Sequence, residues 1–302
     1  MYYRYSYNDA VEQESALPRW HQEYRQISTG SYDGQVLALR MPGVEIYREQ
    51  INVATEQVYS APEGSMVFYY YPKNDMTQLI QGEEMLSKAG FAFDWVDRVG
   101  IMDTNSDLLM VVVDQPDIAR NPSAFSGFVC GPMSEQADFL AEWLNSLIHI
   151  AKITSCDHQQ MSMKNVLPGL IQDRLDLLAE NSQLIEPPAI VEGERIYRRL
   201  RDHLEDFTPE HIPSVRSLAS DLGIETHKLR QVCREYAGLP LERMLIYLRL
   251  NGARRDLISA REQGKSVSEV AMDWGFMHWG RFAGRYKLLF GETPSTTLRQ
   301  GR

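Results

Sequence analysis

The sequence predicts an α+β chain in two unlike parts: an antiparallel β half with trailing helices, then an all-helical C-terminal part. Three observations predict it. Short apolar runs closed by turn residues occupy 34–115. Helical spacing replaces them after Pro132. The charge divides along the same line. Residues 195–302 carry 19 Lys and Arg against 13 Asp and Glu, whereas residues 1–194 carry 12 against 28, so balances of +6 and −16 lie behind the net −10. An asymmetry of this kind suits a polyanionic partner for the basic part, and equally suits two unlike soluble domains.

The β half rests on four runs: "QVLALRM", "VEIYREQINV", "SMVFYYYP" and "DLLMVVVDQ". "MPG", "APEG", "PKND" and "TNSD" separate them and are turn chemistry. Many short strands with tight turns read as an antiparallel barrel or sandwich. Next, "MSEQADFLAEWLNSLIHIAKI" sets Phe139, Leu140, Trp143, Leu144, Leu147 and Ile150 at helical spacing, with an apolar face wide enough for barrel packing or a dimer seam. A second helix is expected from about Met161 to Ala179. "SQLIEPPAIVEGE" cannot continue a helix through its double Pro, so 183–193 reads as a linker between 1–182 and 194–302.

The helical part holds a weak internal repeat. Val215, Leu218, Ala219 and Leu222 form one buried stripe, Gly223 ends that helix, and Leu229, Val232, Cys233 and Tyr236 form a second stripe. In the second copy Ser266 and Glu269 have capping-box spacing, Val270, Ala271 and Trp274 are apolar, and Gly275 ends the helix. Phe282, Tyr286 and Leu289 follow as its second stripe. Short helix, Gly turn, second helix is a helix-turn-helix, which holds its second helix proud for the DNA major groove. A single unit is weak evidence, because helical hairpins are common; two units joined by "LERMLIYLRLNGARRDLI" are specific.

Those stretches, with "GLP", "RLNGAR", "VAMDWGF" and "SVSEVAMDWGFMHWGRFAGRYKLLFGETPS", resemble the paired helix-turn-helix units of the AraC/XylS family of bacterial transcription regulators. "HQEYRQISTGSYDGQVLALRMPGVEIYREQ" is more loosely similar to the sensor domain of that family's ethanolamine-utilisation regulator. The resemblance implies a cupin-like N-terminal β-barrel with a ligand pocket, trailing helices that make a homodimer, and double-stranded DNA as partner. It also implies a small-molecule effector and activation through RNA polymerase.

In the first unit the stripe leaves His227, Arg230, Gln231 and Arg234 on the opposite side, with Lys228 beside them. The family register puts base readers at 227, 230 and 231; Arg suits guanine and Gln suits adenine. In the second unit that register falls on Trp279, Gly280 and Gly284, and two glycines offer no side chains. Spacing favours His278, Arg281 and Arg285 there, with Trp279 expected in the core. Phosphate contacts, which position without specifying, are then this unit's main expected role. Arg216, Arg243 and Lys287 read as phosphate contacts or solvated charge, Arg249 as a structural tether, and Arg254 and Arg255 as surface charge.

For the sensing half, Phe68 and Tyr70 alternate with Tyr69 and Tyr71, and Arg48 with Glu49. Phe68, Tyr70 and Arg48 are the pocket candidates, Arg48 for an anionic group, beside the plainer reading of core aromatics and a solvated Arg. No cofactor or metal is expected: His21 is the only His before residue 149, no H-x-H occurs, and the three cysteines lack ligand spacing. No apolar run reaches the roughly 18 residues of a membrane span, and the N-terminus lacks a signal-peptide core, so a cytoplasmic protein is expected. The alternative reading is a cupin-type small-molecule-binding or catalytic protein with a helical assembly domain.

Overall fold

The computed structural model describes residues 1–72, 79–80, 83–84, 89–92, 98–114, 128–130, 135–154, 156–181, 192–205, 208–209 and 212–300. The β half opens with β1 (Tyr2–Tyr7), a one-turn helix α1 (Ala10–Gln13) and β2 (His21–Gln26). The four runs expected as strands are β3 (Gly34–Met41), β4 (Val44–Ile51), β6 (Ser65–Tyr70) and β11 (Ser106–Asp114). Between and after them come β5 (Thr55–Ser60), β7 (Leu79–Ile80), β8 (Glu83–Glu84), β9 (Ala89–Ala92), β10 (Arg98–Met102) and β12 (Phe128–Cys130).

These strands make two antiparallel sheets, in the orders β1-β3-β4-β11-β6-β9-β12 and β2-β5-β10-β7-β8. Among the described residues both sheets keep open edges, so the layers form a sandwich, and closure into a barrel is not seen there. Strand alternation gives the larger sheet two buried faces. Ile46, Phe68, Leu109 and Val111 lie under α2 (Glu135–Ile153) and α3 (Asp157–Asn181). Tyr47, Val67, Tyr69, Met110 and Val112 point the other way, toward Met102 of the smaller sheet. No helix among the described residues is long and apolar enough to cross a membrane.

The helical part runs α4 (Glu192–Glu205), α5 (Val215–Leu222), α6 (Thr226–Ala237), α7 (Leu241–Gln263), α8 (Val267–Asp273), α9 (Trp279–Phe290) and α10 (Pro294–Gln300). Most of the span read as a linker lies outside the described residues; its last two, Glu192 and Gly193, already belong to α4. The long α7 serves two cores. Leu241, Met244 and Leu248 pack with α4, α5 and α6, while Leu250, Ala253 and Leu257 pack with α8, α9 and α10.

Arg254 and Arg255 are not surface charge; they join the two halves. Arg254 is buried, and its guanidinium lies 2.6 Å from Asp9 and 2.9 Å from Glu292. Arg255 grips the Glu14 carboxylate with both terminal nitrogens. The Asn251 amide accepts from the Gln26 N–H and donates to the Gln26 carbonyl, each at 2.9 Å, and so occupies the edge of β2. Arg201 of α4, 1% exposed, meets Glu56 of β5 at 3.0 Å. The acidic half thus meets the basic half through paired charges, although the two terminal nitrogens of Arg201 have no hydrogen-bond partner among the described residues.

Candidate nucleic-acid interface

Each helix-turn-helix unit is built from its caps inward. Ser214 accepts from Ser217 N at 3.0 Å and Ser217 Oγ accepts from Ser214 N at 2.8 Å, which starts α5. Gly223, at φ 64°, ends it in the left-handed region that favours glycine. In the second unit Ser266 and Glu269 exchange the same pair of bonds, at 3.2 and 2.7 Å. The turn after α8 is held from α7: Arg249 donates to the carbonyls of Trp274 and Gly275 and lies 4.3 Å over the Phe276 ring. That is the tether expected of it. Gly252 was not singled out by sequence reasoning, yet a Cβ there would fall 2.1 Å from Trp274, so its bareness seats that ring on α7.

In α6, Leu229, Val232 and Cys233 are fully buried, and burial pushes the Cys233 thiol up to about 12. The opposite face leaves His227, Arg230, Gln231 and Arg234 exposed and Lys228 half-buried, as the spacing requires. Three of these side chains rest on carboxylates. Arg230 Nε meets Glu242 at 2.6 Å, Gln231 donates to Glu235 at 2.7 Å, and His227 lies 3.1 Å from Glu225. A bond from its own backbone N–H and then Arg230 hold the Glu242 carboxyl below its ordinary value. Both partners of the Arg230 pair are about half exposed, so the pair is cheap to break in favour of another acceptor. Arg216 and Arg243 are exposed on neighbouring helices.

In α9, Phe282, Tyr286 and Leu289 are buried and Arg281, Arg285 and Lys287 are exposed, with His278 as the N-cap residue. Trp279 corrects an expectation: it is 43% exposed rather than in the core, because the first turn of α9 projects beyond Phe282. Gly280 and Gly284 stand on the exposed side, and a Cβ at either would meet no atom within 4 Å. Packing therefore does not explain these glycines; they leave bare backbone on the outward face of α9.

The pocket candidates lie on the helix-covered face of the larger sheet, where Arg48 lines a cavity with Asn145, His149 and Lys152. Leu109 pairs with both Arg48 and Tyr70, so these three side chains stand together across three strands, on the face covered by α2. There Arg48 forms a two-pronged pair with Asp107 and reaches Asn145, while the Tyr70 hydroxyl donates to Asp138 at 2.5 Å. Phe68 lies in the same layer, fully buried. The space between the sheets is lined instead by Glu49, Tyr69 and Tyr71, one position out of step.

A family model described as a helix-turn-helix domain matches residues 218–300. The chain is 36% identical over 118 residues to a probable thc operon regulatory protein of Rhodococcus erythropolis; the match covers 39% of this chain and 35% of that one. It is 30% identical over 122 residues to the XylDLEGF operon transcriptional activator 2 of Pseudomonas putida, covering 40% of this chain and 77% of that one. Among solved structures, the AraC-like transcriptional activator CuxR aligns over 90% of this chain and 100% of its own, with 14% identity and a TM-score of 0.42.

Proposed function

The chain belongs to the AraC/XylS family of DNA-binding transcription regulators, and we propose that it activates transcription by placing α6 and α9 in successive major-groove segments of duplex DNA. The observation that carries this is the pair of capped units on one shared helix, each turning basic or polar side chains outward: Arg230, Gln231 and Arg234 from α6, Arg281, Arg285 and Lys287 from α9. Arg230 and Gln231 read bases, with His227 and Lys228 beside them; His278, Trp279, Arg281, Arg285 and Lys287 seat α9 on phosphates. The enzymatic alternative is not favoured, since this family regulates transcription.

Residues 1–182 form the sensing half, a cupin-like sandwich that takes a small-molecule effector, and the span read as a linker from 183 joins it to a DNA-binding part that begins with α4 at Glu192. Two copies meet through the outward faces of α2 and α3. Phe139, 76% exposed, supports that seam, together with the exposed Ile153, Met161, Val166 and Leu170. The protein works in the cytoplasm and recruits RNA polymerase.

The test is duplex binding by the full chain as salt is raised. If several phosphates are neutralised, affinity for native upstream DNA falls by orders of magnitude between about 50 and 200 mM salt. Flat salt dependence, or no binding at all, overturns the reading.

A further inference from the structure

The sandwich holds a cavity of about 50 Å³ between its sheets, lined largely by apolar and aromatic side chains. Two of its lining groups are unsatisfied. Trp20 Nε1 and Gln22 Oε1 are buried atoms with no hydrogen-bond partner among the described residues. Such atoms are costly and call for an explanation. Gln22 lies in β2 and Trp20 just before it, and both side chains line the same cavity.

The orientation of Gln22 is fixed by its neighbours. The Tyr24 hydroxyl spends its hydrogen on Glu49 Oε1 at 2.8 Å, so it can only accept from Gln22, whose Nε2 lies 2.9 Å away. That leaves Gln22 Oε1 as a free acceptor beside a free indole donor. Among the described residues the lining has no Lys, Arg or His, and its one ionisable acid is Glu49. Burial raises the Glu49 pKa, against the opposing hydrogen bonds from Gln13 and Tyr24. An anion entering here meets no counter-charge and one carboxyl.

We propose that this cavity binds a small uncharged molecule, apolar over most of its surface, whose polar edge offers an acceptor to Trp20 and a donor to Gln22, as a primary amide does. The proposal rests on the reading of this half as a sensor, and it replaces Arg48 and an anionic ligand as that sensor's chemistry. Met102 and Met110 lie in the walls, and methionine is the side chain that adapts most readily to the shape of a ligand.

The site is also wired to the DNA-binding half. Gln22 holds Tyr24, and the Tyr24 N–H donates to Glu14, the carboxylate gripped by Arg255. Glu49 takes a second bond from Gln13 at 2.8 Å, at the end of α1. The opposite end of α1 is capped by Asp9, which pairs with Arg254. A ligand held by Gln22 is therefore joined by a chain of hydrogen bonds to the α1 segment on which both joint arginines depend.

Isothermal titration of the full chain with benzamide, and with benzoate as its anionic isostere, tests this. Benzamide binds the parent; benzoate binds at least about tenfold more weakly. Trp20→Phe, which keeps the ring and loses the N–H, weakens benzamide by about tenfold, the worth of one hydrogen bond in a buried site. Gln22→Met does the same and serves if Trp20→Phe does not fold. Equal binding of benzoate, indifference to both substitutions, or no binding of benzamide to the parent each overturns the site. Duplex affinity separates this from the wider sensor reading. If benzamide binds as described and leaves duplex affinity unchanged, the site stands and its regulatory role falls. If a metabolite alters duplex affinity equally in the parent and in both variants, the sensor reading stands and this site is overturned.

Discussion

The helices α6 and α9 are each twelve residues long, follow a Gly-containing turn, and bury one stripe against the same α7. They differ on the outward face. α6 presents Arg230 and Gln231, side chains with the geometry to read guanine and adenine, parked on Glu242 and Glu235. α9 presents Gly280 and Gly284, each just before an arginine, Arg281 and Arg285, with open space around both glycines. The buried stripe fixes where a recognition helix sits, and the outward residues independently fix what it can read. One fold repeated twice therefore gives a unit suited to choosing a sequence and a unit suited to holding a backbone.

The tether offers the largest way to break this comparison. Arg249→Met removes the donor to the Trp274 and Gly275 carbonyls. Chemical denaturation should show a loss of about 1.5–3 kcal/mol, the range for hydrogen bonds to a charged group. Duplex affinity should fall while the base preference set by α6 persists. A changed preference would mean that the two units are not separable.

Next in size, Arg230→Ala should cost about 1–3 kcal/mol on the preferred duplex and relax selection at one or two base pairs. Arg285→Ala should weaken all duplexes alike. Selection on random DNA checks both, and identical logos for Arg230→Ala and the parent would remove α6 as the reader.

The smallest effect concerns the glycines. Gly284 is helical and unobstructed, so Gly284→Ala should raise stability by about 0.5–1 kcal/mol and leave base preference unaltered. Thermal melts and the same selection check this. A new base preference in the Gly284→Ala selection would show that side chains at this position do read DNA.

Much of this was legible in the sequence, and what was not has physical causes. The repeat was readable because a helix that buries one stripe must space its apolar residues regularly, as Leu229, Val232 and Cys233 do. The four apolar strands were readable for the same reason. β5 was harder: its Thr55, Glu56 and Gln57 are all buried, and a buried polar strand looks like a loop. Glu56 is polar because it meets Arg25 and Arg201. Arg254 and Arg255 misled in the same way, since the pattern of their own helix does not announce partners more than 240 positions back, at Asp9 and Glu14. Alternation puts Arg48, Phe68 and Tyr70 on one face, but it does not say which face is roofed by helices and which looks into the space between the sheets. Trp279 stands three before Phe282, a spacing that suggests the core, whereas its place at the first turn of α9 leaves it exposed.

The asymmetry between α6 and α9 is tested most directly by a saturation-mutagenesis binding profile of one operator, recovered from the chromosomal DNA that the full chain retains. The expected profile has two blocks about 10 base pairs apart on one face of the duplex. In one block, single substitutions cost about 1–3 kcal/mol each. In the other, base changes are tolerated, but neutralising the phosphates with methylphosphonate linkages is not. Two equally sharp blocks would contradict the asymmetry and show that α9 reads bases, through Trp279, His278 or Arg281.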